Sequence, residues 1–321
     1  MKLFSNLPIK VSQFNRYTTF IQANEVEKTL AELQHSLKQP DKVNQVKKIS
    51  GEVYSWLIQP LEADLQRNRV ETLVFVLDGT LRNIPMAVLY DKRAKENEPK
   101  YLIEKYAIAL TPGLQMLESK PLQKKELNAL IAGISEKRVV ENQEFNSLKN
   151  VPFELQTIQS QISDNKKLLN KSFTDINLEK QIDSAKYTVV HIATHGNFSS
   201  NLEETYILTW NKLLKVQDFD RLFQINTKLD SKAIQLLVLS ACETADGDKR
   251  ATLGLSGIAV RAGARSTLAT LWAVKDKSTA KLMSQLASLE GSPKGLVNST
   301  KNYKITNSTK PKLYNKLKLI F

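Results

Sequence analysis

The run Leu236-Leu237-Val238-Leu239-Ser240-Ala241 is apolar enough to be buried on both faces, and it leads directly into Cys242, the one cysteine of the chain. A strand of that kind belongs inside a parallel sheet, and its tip presents a thiol. A second run, Tyr187-Thr188-Val189-Val190-His191-Ile192-Ala193-Thr194, ends in His195-Gly196. Laid parallel, the two strands bring His195 and Cys242 out at the same edge. Ligands of open parallel sheets sit in the crevice beyond the carboxyl ends of the strands, so both side chains point their chemistry at one crevice.

The pairing suits an activated sulfur nucleophile. A thiol reacts weakly until it loses its proton, and an adjacent imidazole can take that proton and return it to a leaving amine. Gly196 would let the backbone turn tightly, and its N–H together with that of Cys242 would bind an oxyanion. Each residue alone has a plainer reading. A lone cysteine behind an apolar run is commonly an inert core residue, and a strand histidine is commonly hydrogen-bonded in the core. The two strand-tip positions taken together favour the dyad. His191, mid-strand, reads as a core or supporting histidine.

A single cysteine excludes an intrachain disulfide and fits a reducing, cytoplasmic setting. With three histidines besides, it offers no ligand spacing for a metal, and no cofactor is expected. Met1 to Ser12 has no long apolar stretch with a small-residue cleavage site. No run reaches the roughly 18 apolar residues of a membrane span, so no membrane partner is expected. The formal charge of +13 raises nucleic acid as a partner, but seven lysines and no acid fall between Gly291 and Phe321, leaving +6 for the rest. Without aromatics interleaved among arginines or a helix-turn-helix pattern, nucleic acid is not the expected partner.

Taken in order, the chain opens with two amphipathic stretches. Asn24 as N-cap with Glu27 three residues on predicts a helix carrying Val26, Leu30, Leu33 and Leu37 on one face and closed by Pro40. Val43, Val46, Ile49, Val53, Trp56 and Leu57 mark a second. Thr72 to Leu77 reads as a buried strand leaving through Asp78-Gly79. Asp78 is a candidate for the active edge, but the commoner role of such a residue is to hold the turn by side-chain to backbone hydrogen bonds. Tyr106 to Leu110 and Asn128 to Ile134 read as further strands. Pro152 opens a helix with Phe153, Leu155, Ile158 and Ile162 on its apolar side, and Thr174 caps another reaching Ala185. Strands alternating with helices predict an α/β fold, a mainly parallel sheet flanked by helices. The expected division is an N-terminal helical extension over 1–50, a main domain over 51–290, and a Lys-rich tail over 291–321 whose composition buries little surface.

Several segments also resemble a known family. Val190-His191-Ile192-Ala193-Thr194-His195-Gly196, Leu239-Ser240-Ala241-Cys242-Glu243-Thr244-Ala245, Gly254-Leu255-Ser256-Gly257 through Arg261-Ala262-Gly263-Ala264-Arg265-Ser266, and Leu271-Trp272-Ala273-Val274 are similar to the CHAT domain, from about Val53 to about Gln285. That domain groups with caspases, separases and gingipains. The resemblance implies a caspase-like fold and a cysteine endopeptidase, with Cys242 as nucleophile and His195 as general base, acting on a protein or peptide in bacterial signalling or regulated proteolysis. It also makes Asp246 and Asp276 candidates for a substrate pocket, against helix capping or solvent as their plainer roles. CHAT domains often follow tetratricopeptide repeats; no 34-residue repeat is visible, so such a regulatory array is either lacking or carried by a separate chain. The chain departs from the pattern at Asn211-Lys212, where the family has Asp-Gly, and beyond Gln285, where an aromatic-rich closing strand is expected. The altered end admits a second reading, a catalytically inactive interaction or signalling module that keeps the fold.

Overall fold

The computed structural model describes residues 2–8, 14–39, 41–98, 100–110, 127–184, 187–199, 201–224, 234–241, 264, 266–270, 280 and 319–320. The described residues fall into two compact units, residues 2–110, and residues 127–280 together with 319–320. In the first, β1 (Lys2–Pro8) and β2 (Phe14–Phe20) pair antiparallel. Helices α1 (Ala23–Leu37) and α2 (Val43–Leu57) follow; α1 buries Val26, Leu30, Leu33 and Leu37, and α2 buries Val46, Ile49, Val53 and Leu57, while Val43 and Trp56 of its expected stripe are half-buried. Helix α3 (Glu62–Arg67) leads to β3 (Thr72–Phe75), and the short α4 (Leu102–Lys105) leads to β4 (Ala107–Leu110), which pairs in parallel with β3.

A charged network ties these elements. Lys105 Nζ donates to Asp91 Oδ2 at 2.6 Å and to Tyr54 Oη at 3.1 Å, while Arg93 pairs with both Glu62 and Asp91. Tyr54 sits on α2, Glu62 on α3 and Lys105 on α4, so one cluster joins three helices. Burial raises the pKa of Asp91, but hydrogen bonds from Lys105 and the Arg93 backbone, with the charges of both residues, outweigh it and hold the carboxyl below its ordinary value.

The second unit is built on strand–helix alternation. In chain order come β5 (Asn128–Gly133), the hairpin of β6 (Arg138–Val140) and β7 (Gln143–Phe145), α5 (Val151–Gln161), β8 (Asp164–Leu169), α6 (Asp175–Ser184) and β9 (Val189–Thr194). A small antiparallel sheet of β10 (Gly196–Asn197), β11 (Tyr206–Leu208) and β12 (Leu213–Lys215) precedes α7 (Val216–Gln224). Then follow β13 (Leu236–Ala241), β14 (Ser266–Thr270) and β15 (Leu319–Ile320). The central sheet runs β8-β5-β9-β13-β14-β15, parallel throughout except for β15. The α/β expectation, a mainly parallel sheet flanked by helices, is met. Strand β9 is buried at every position, as an interior parallel strand requires.

Against this sheet α5 packs Val151, Leu155 and Ile158, joined by Ile162, on Ala129 and Ile131 of β5 and Val189 and Ala193 of β9. Each large aliphatic side chain buried this way contributes about 1.5–3 kcal/mol. The helix comes close because Gly133 ends β5. A Cβ there would stand 2.6 Å from the Ala193 carbonyl oxygen and 2.7 Å from Val151 Cγ1, too near for either to accommodate.

Several details differ from the sequence expectation. The N-terminal segment is not wholly helical, since a hairpin precedes α1. That helix begins at Ala23 with Gln22 as N-cap, and the Asn24 side chain instead takes the Glu25 N–H at 2.9 Å. Phe153 is 61% exposed, because the buried stripe of α5 is Val151, Glu154, Leu155 and Ile158. Spacing of three and four residues includes position 154 and leaves out 153. Within the 291–321 segment, Leu319–Ile320 pairs antiparallel with the end of β14, Ala269 opposite Ile320 and Thr270 opposite Leu319.

Candidate functional site

The parallel register of β9 and β13 aligns Ser240 with Ala193 and Ala241 with Thr194. Ala241 and Thr194 are the residues immediately before Cys242 and His195. Cys242 lies outside the described residues, as do Asp246 and Asp276.

His195 is held from two sides. Its backbone carbonyl accepts from Leu208 N at 2.8 Å, and its ring Nε2 lies 2.7 Å from the carbonyl oxygen of Asn146. A carbonyl oxygen only accepts, so the proton is assigned to Nε2, and in the neutral ring Nδ1 is left as the basic nitrogen. The Phe145 ring lies beside the imidazole, centroids 5.5 Å apart and planes inclined by 44°. Asn146 follows the β6–β7 hairpin directly, so that hairpin supplies both the carbonyl and the aromatic wall.

The hairpin is itself anchored. Arg138 stacks its guanidinium 3.7 Å over the Trp210 ring and donates to the Trp210 carbonyl at 3.1 Å. Glu141, at the tip, accepts from Leu213 N at 3.1 Å. Glu141 and Asn142 both hold positive φ, 51° and 62°, which is the primed turn that matches strand twist. At Thr209–Lys212, where Asp-Gly is missing, the turn closes through Thr209 N to Lys212 O at 3.0 Å and the Asn211 amide to Asp175 Oδ1 at 2.8 Å. Burial raises the pKa of Asp175, but the hydrogen bonds from Asn211 and backbone N–H groups, with the Lys212 charge, hold it below the ordinary value.

Gly196 is not the tight turn that the sequence suggests. It starts β10, and Gly79 is the glycine with positive φ among the described residues. Its register matters more. Because Leu208 N donates to His195 O, the next opposed pair, Gly196 with Ile207, is of the non-hydrogen-bonded kind, and its N–H is directed away from β11. The loop that follows is closed on itself: Ser199 N donates to Thr205 Oγ1 at 3.0 Å, and Asn197 Nδ2 to the Glu204 carbonyl at 2.9 Å.

Asp78 belongs to the first unit. It accepts from Gly79 N at 2.8 Å and pairs with Arg82 at 3.2 Å, with its side chain 96% exposed, which is the turn-holding role. His191 is buried and lies 2.7 Å from Oε1 of Glu154, itself 1% exposed. Sequence reasoning missed Asn146, Phe145 and Glu154. The first acts through its backbone and carries no side-chain signal, whereas Glu154 is visible as a carboxylate on an otherwise apolar helical stripe. Among the described residues no group of three or more His, Cys, Asp or Glu gathers as a metal site, and no helix is long and apolar enough to cross a membrane.

Solved structures similar to this chain include the Arg-specific cysteine proteinase gingipain R, at 11% identity and TM-score 0.49, covering 92% of this chain and 74% of that one. Another is the complex of RgpB pro- and mature domains from Porphyromonas gingivalis, at 9% identity and TM-score 0.47, covering 94% and 77%. Among curated proteins none matches. The sequence model of the CHAT domain matches residues 47–289, from within α2 to beyond β14, a span that takes in the whole parallel part of the central sheet. The chain belongs to the CHAT domain family.

Proposed function

We propose that this chain is a cysteine endopeptidase using a His195–Cys242 dyad on a protein or peptide substrate. His195 Nδ1 takes the thiol proton of Cys242, and the thiolate attacks the substrate carbonyl carbon. The N–H groups of Gly196 and Cys242 hold the oxyanion. The protonated His195 then gives its proton to the leaving amine as the C–N bond breaks, and water hydrolyses the thioester. The observation that carries the reading is the register that sets Thr194 beside Ala241, one residue before each partner. The Nε2 bond to Asn146 supports it by leaving Nδ1 as the base. Asp246 and Asp276 remain proposed pocket residues, a regulatory protein with tetratricopeptide repeats a proposed partner, and a reducing compartment the setting that preserves the thiol.

The test is alkylation of purified protein with iodoacetamide across a pH range, with His195→Ala in parallel. With one cysteine in the chain, the signal has one source. The expected result is reaction well below the pH at which a free thiol ionises, lost in His195→Ala. Equal profiles for the two proteins would overturn the dyad and bring forward the non-catalytic interaction module.

A further inference from the structure

We infer that the buried Glu154–His191 bond is a positioning pair for His195, fixing the imidazole against its carbonyl partner by locking α5 onto β9; the inference rests on the proposed dyad for its functional meaning. Both side chains are almost wholly buried, and Glu154 lies on the same helical stripe as Val151, Leu155 and Ile158. A carboxylate at such a position replaces apolar packing and brings a desolvation cost, so its presence calls for something packing alone does not give. Orientation is what it gives. With the carboxylate ionised, His191 Nε2–H donates to Glu154 Oε1 at 2.7 Å, a directional bond inside a core that is otherwise non-directional.

The two ends of that bond carry the two halves of the His195 contact. His191 is in β9, and the strand period of two sets it on the same side as Ala193, which α5 also covers, and in line with position 195 just past the strand end. Glu154 is in the first turn of α5, and the chain leading into α5 carries Asn146, whose carbonyl faces His195 Nε2. That lead-in is fastened to the sheet by Leu148 N to Ser135 O at 3.0 Å, and Ile134 N in turn donates to Ala193 O at 3.0 Å. A closed ring results: β9, the end of β5, the lead-in, α5, and back to β9 through Glu154–His191. His195 and Asn146 meet across this ring, so sliding of α5 along β9 would pull the carbonyl away from Nε2.

The experiment uses the full chain and reads His195 directly. Imidazole ¹⁵N signals are recorded over a pH range for wild type, Glu154→Gln, Glu154→Leu and the double variant Glu154→Leu/His191→Leu, with His195→Ala assigning the resonances. Three histidines make this assignment simple. Glutamine still offers an acceptor oxygen, so Glu154→Gln keeps the Nε2-protonated form of His195. Glu154→Leu leaves His191 buried without its partner and loses stability. The double variant restores an apolar interface and folds, yet His195 loses its single tautomer. A folded double variant with the wild-type His195 spectrum overturns the inference. So does a double variant that fails to fold, because the pair then serves stability alone. Iodoacetamide profiles of the same proteins separate the two readings: wild-type reactivity indifferent to His195→Ala removes the dyad, while the His195 spectrum still decides the positioning pair.

Discussion

Two strands of this molecule run into the same short pattern, a titratable residue followed by glycine. Beyond β3 it is Asp78-Gly79; beyond β9 it is His195-Gly196. At the first, the side chain turns back on its own neighbour, accepting from Gly79 N, and Gly79 holds φ of +57° with nothing within 4 Å of where a Cβ would stand. At the second, the side chain reaches a carbonyl 49 positions away, and the glycine continues into a strand. The difference lies in the surroundings. An exposed carboxylate beside a free N–H closes a local turn. An imidazole at the end of a fully buried strand, with a hairpin anchored beside it, is held at long range. The residue pair is a local motif whose meaning is set by the tertiary partners within reach.

Gly133→Ala strikes hardest at the second of these tips. A methyl 2.6 Å from a backbone oxygen forces β5 and β9 or α5 apart, and a loss of about 3 kcal/mol in denaturant unfolding is expected. Tolerance of that change would mean the close fit does not hold the site. Asp91→Asn sharpens the contrast from within the first unit, because Asp91, unlike Asp78, is held by Lys105 and Arg93. A cost of about 2 kcal/mol is expected at neutral pH. Since the folded carboxyl titrates below its ordinary value, its contribution is full above about pH 4 and is lost as pH falls through the lowered pKa. The gap in melting temperature between wild type and Asp91→Asn therefore narrows on acidification, and a gap that widens would reverse the assignment. Gly79→Ala pays only for left-handed backbone in open space, about 1 kcal/mol. Asp78→Ala has the smallest effect, a slight fall in melting temperature with the iodoacetamide profile of Cys242 unchanged. A changed profile would give Asp78 a part in the site after all.

The fold was legible wherever burial writes a period into the sequence. Helices α1 and α2 bury most of the residues that their spacing selects, and β9 and β13 are apolar runs because an interior parallel strand has no solvent face. The Thr174 cap was legible too, and its Oγ1 accepts from Asn177 N at 3.1 Å. Strand β8 was not legible, since an edge strand reading Asp164-Asn165-Lys166-Lys167 has no apolar alternation. Nor was the β6–β7 hairpin, because its turn places Glu141 and Asn142 at positive φ without the glycine that signals such turns. Of the site, His195 could be picked out from its place at a strand tip. The Asn146 carbonyl could not, because a backbone acceptor is common to every residue. Glu154 is open to view in the sequence, but its neighbour Phe153 has the apolar character that a buried helical position leads one to expect.

The strand order also has a kinetic consequence. Chain order does not run from one edge of the sheet to the other: β5 comes first in sequence, β8 lies on one flank of it, and β9 and β13 lie in turn on the opposite flank. Parallel neighbours are separated by long crossovers, as Ala129 and Val189 are in β5 and β9 and again Val189 and Leu236 in β9 and β13. Closing such loops is slow, and chains emerge from synthesis with the N-terminal part first. β9 can therefore seat against β5, with His195 meeting the hairpin carbonyl, while β13 is still unmade. The strand that carries His195 is seated before the strand that leads to Cys242 arrives, so the two tips come together only when the sheet is nearly complete.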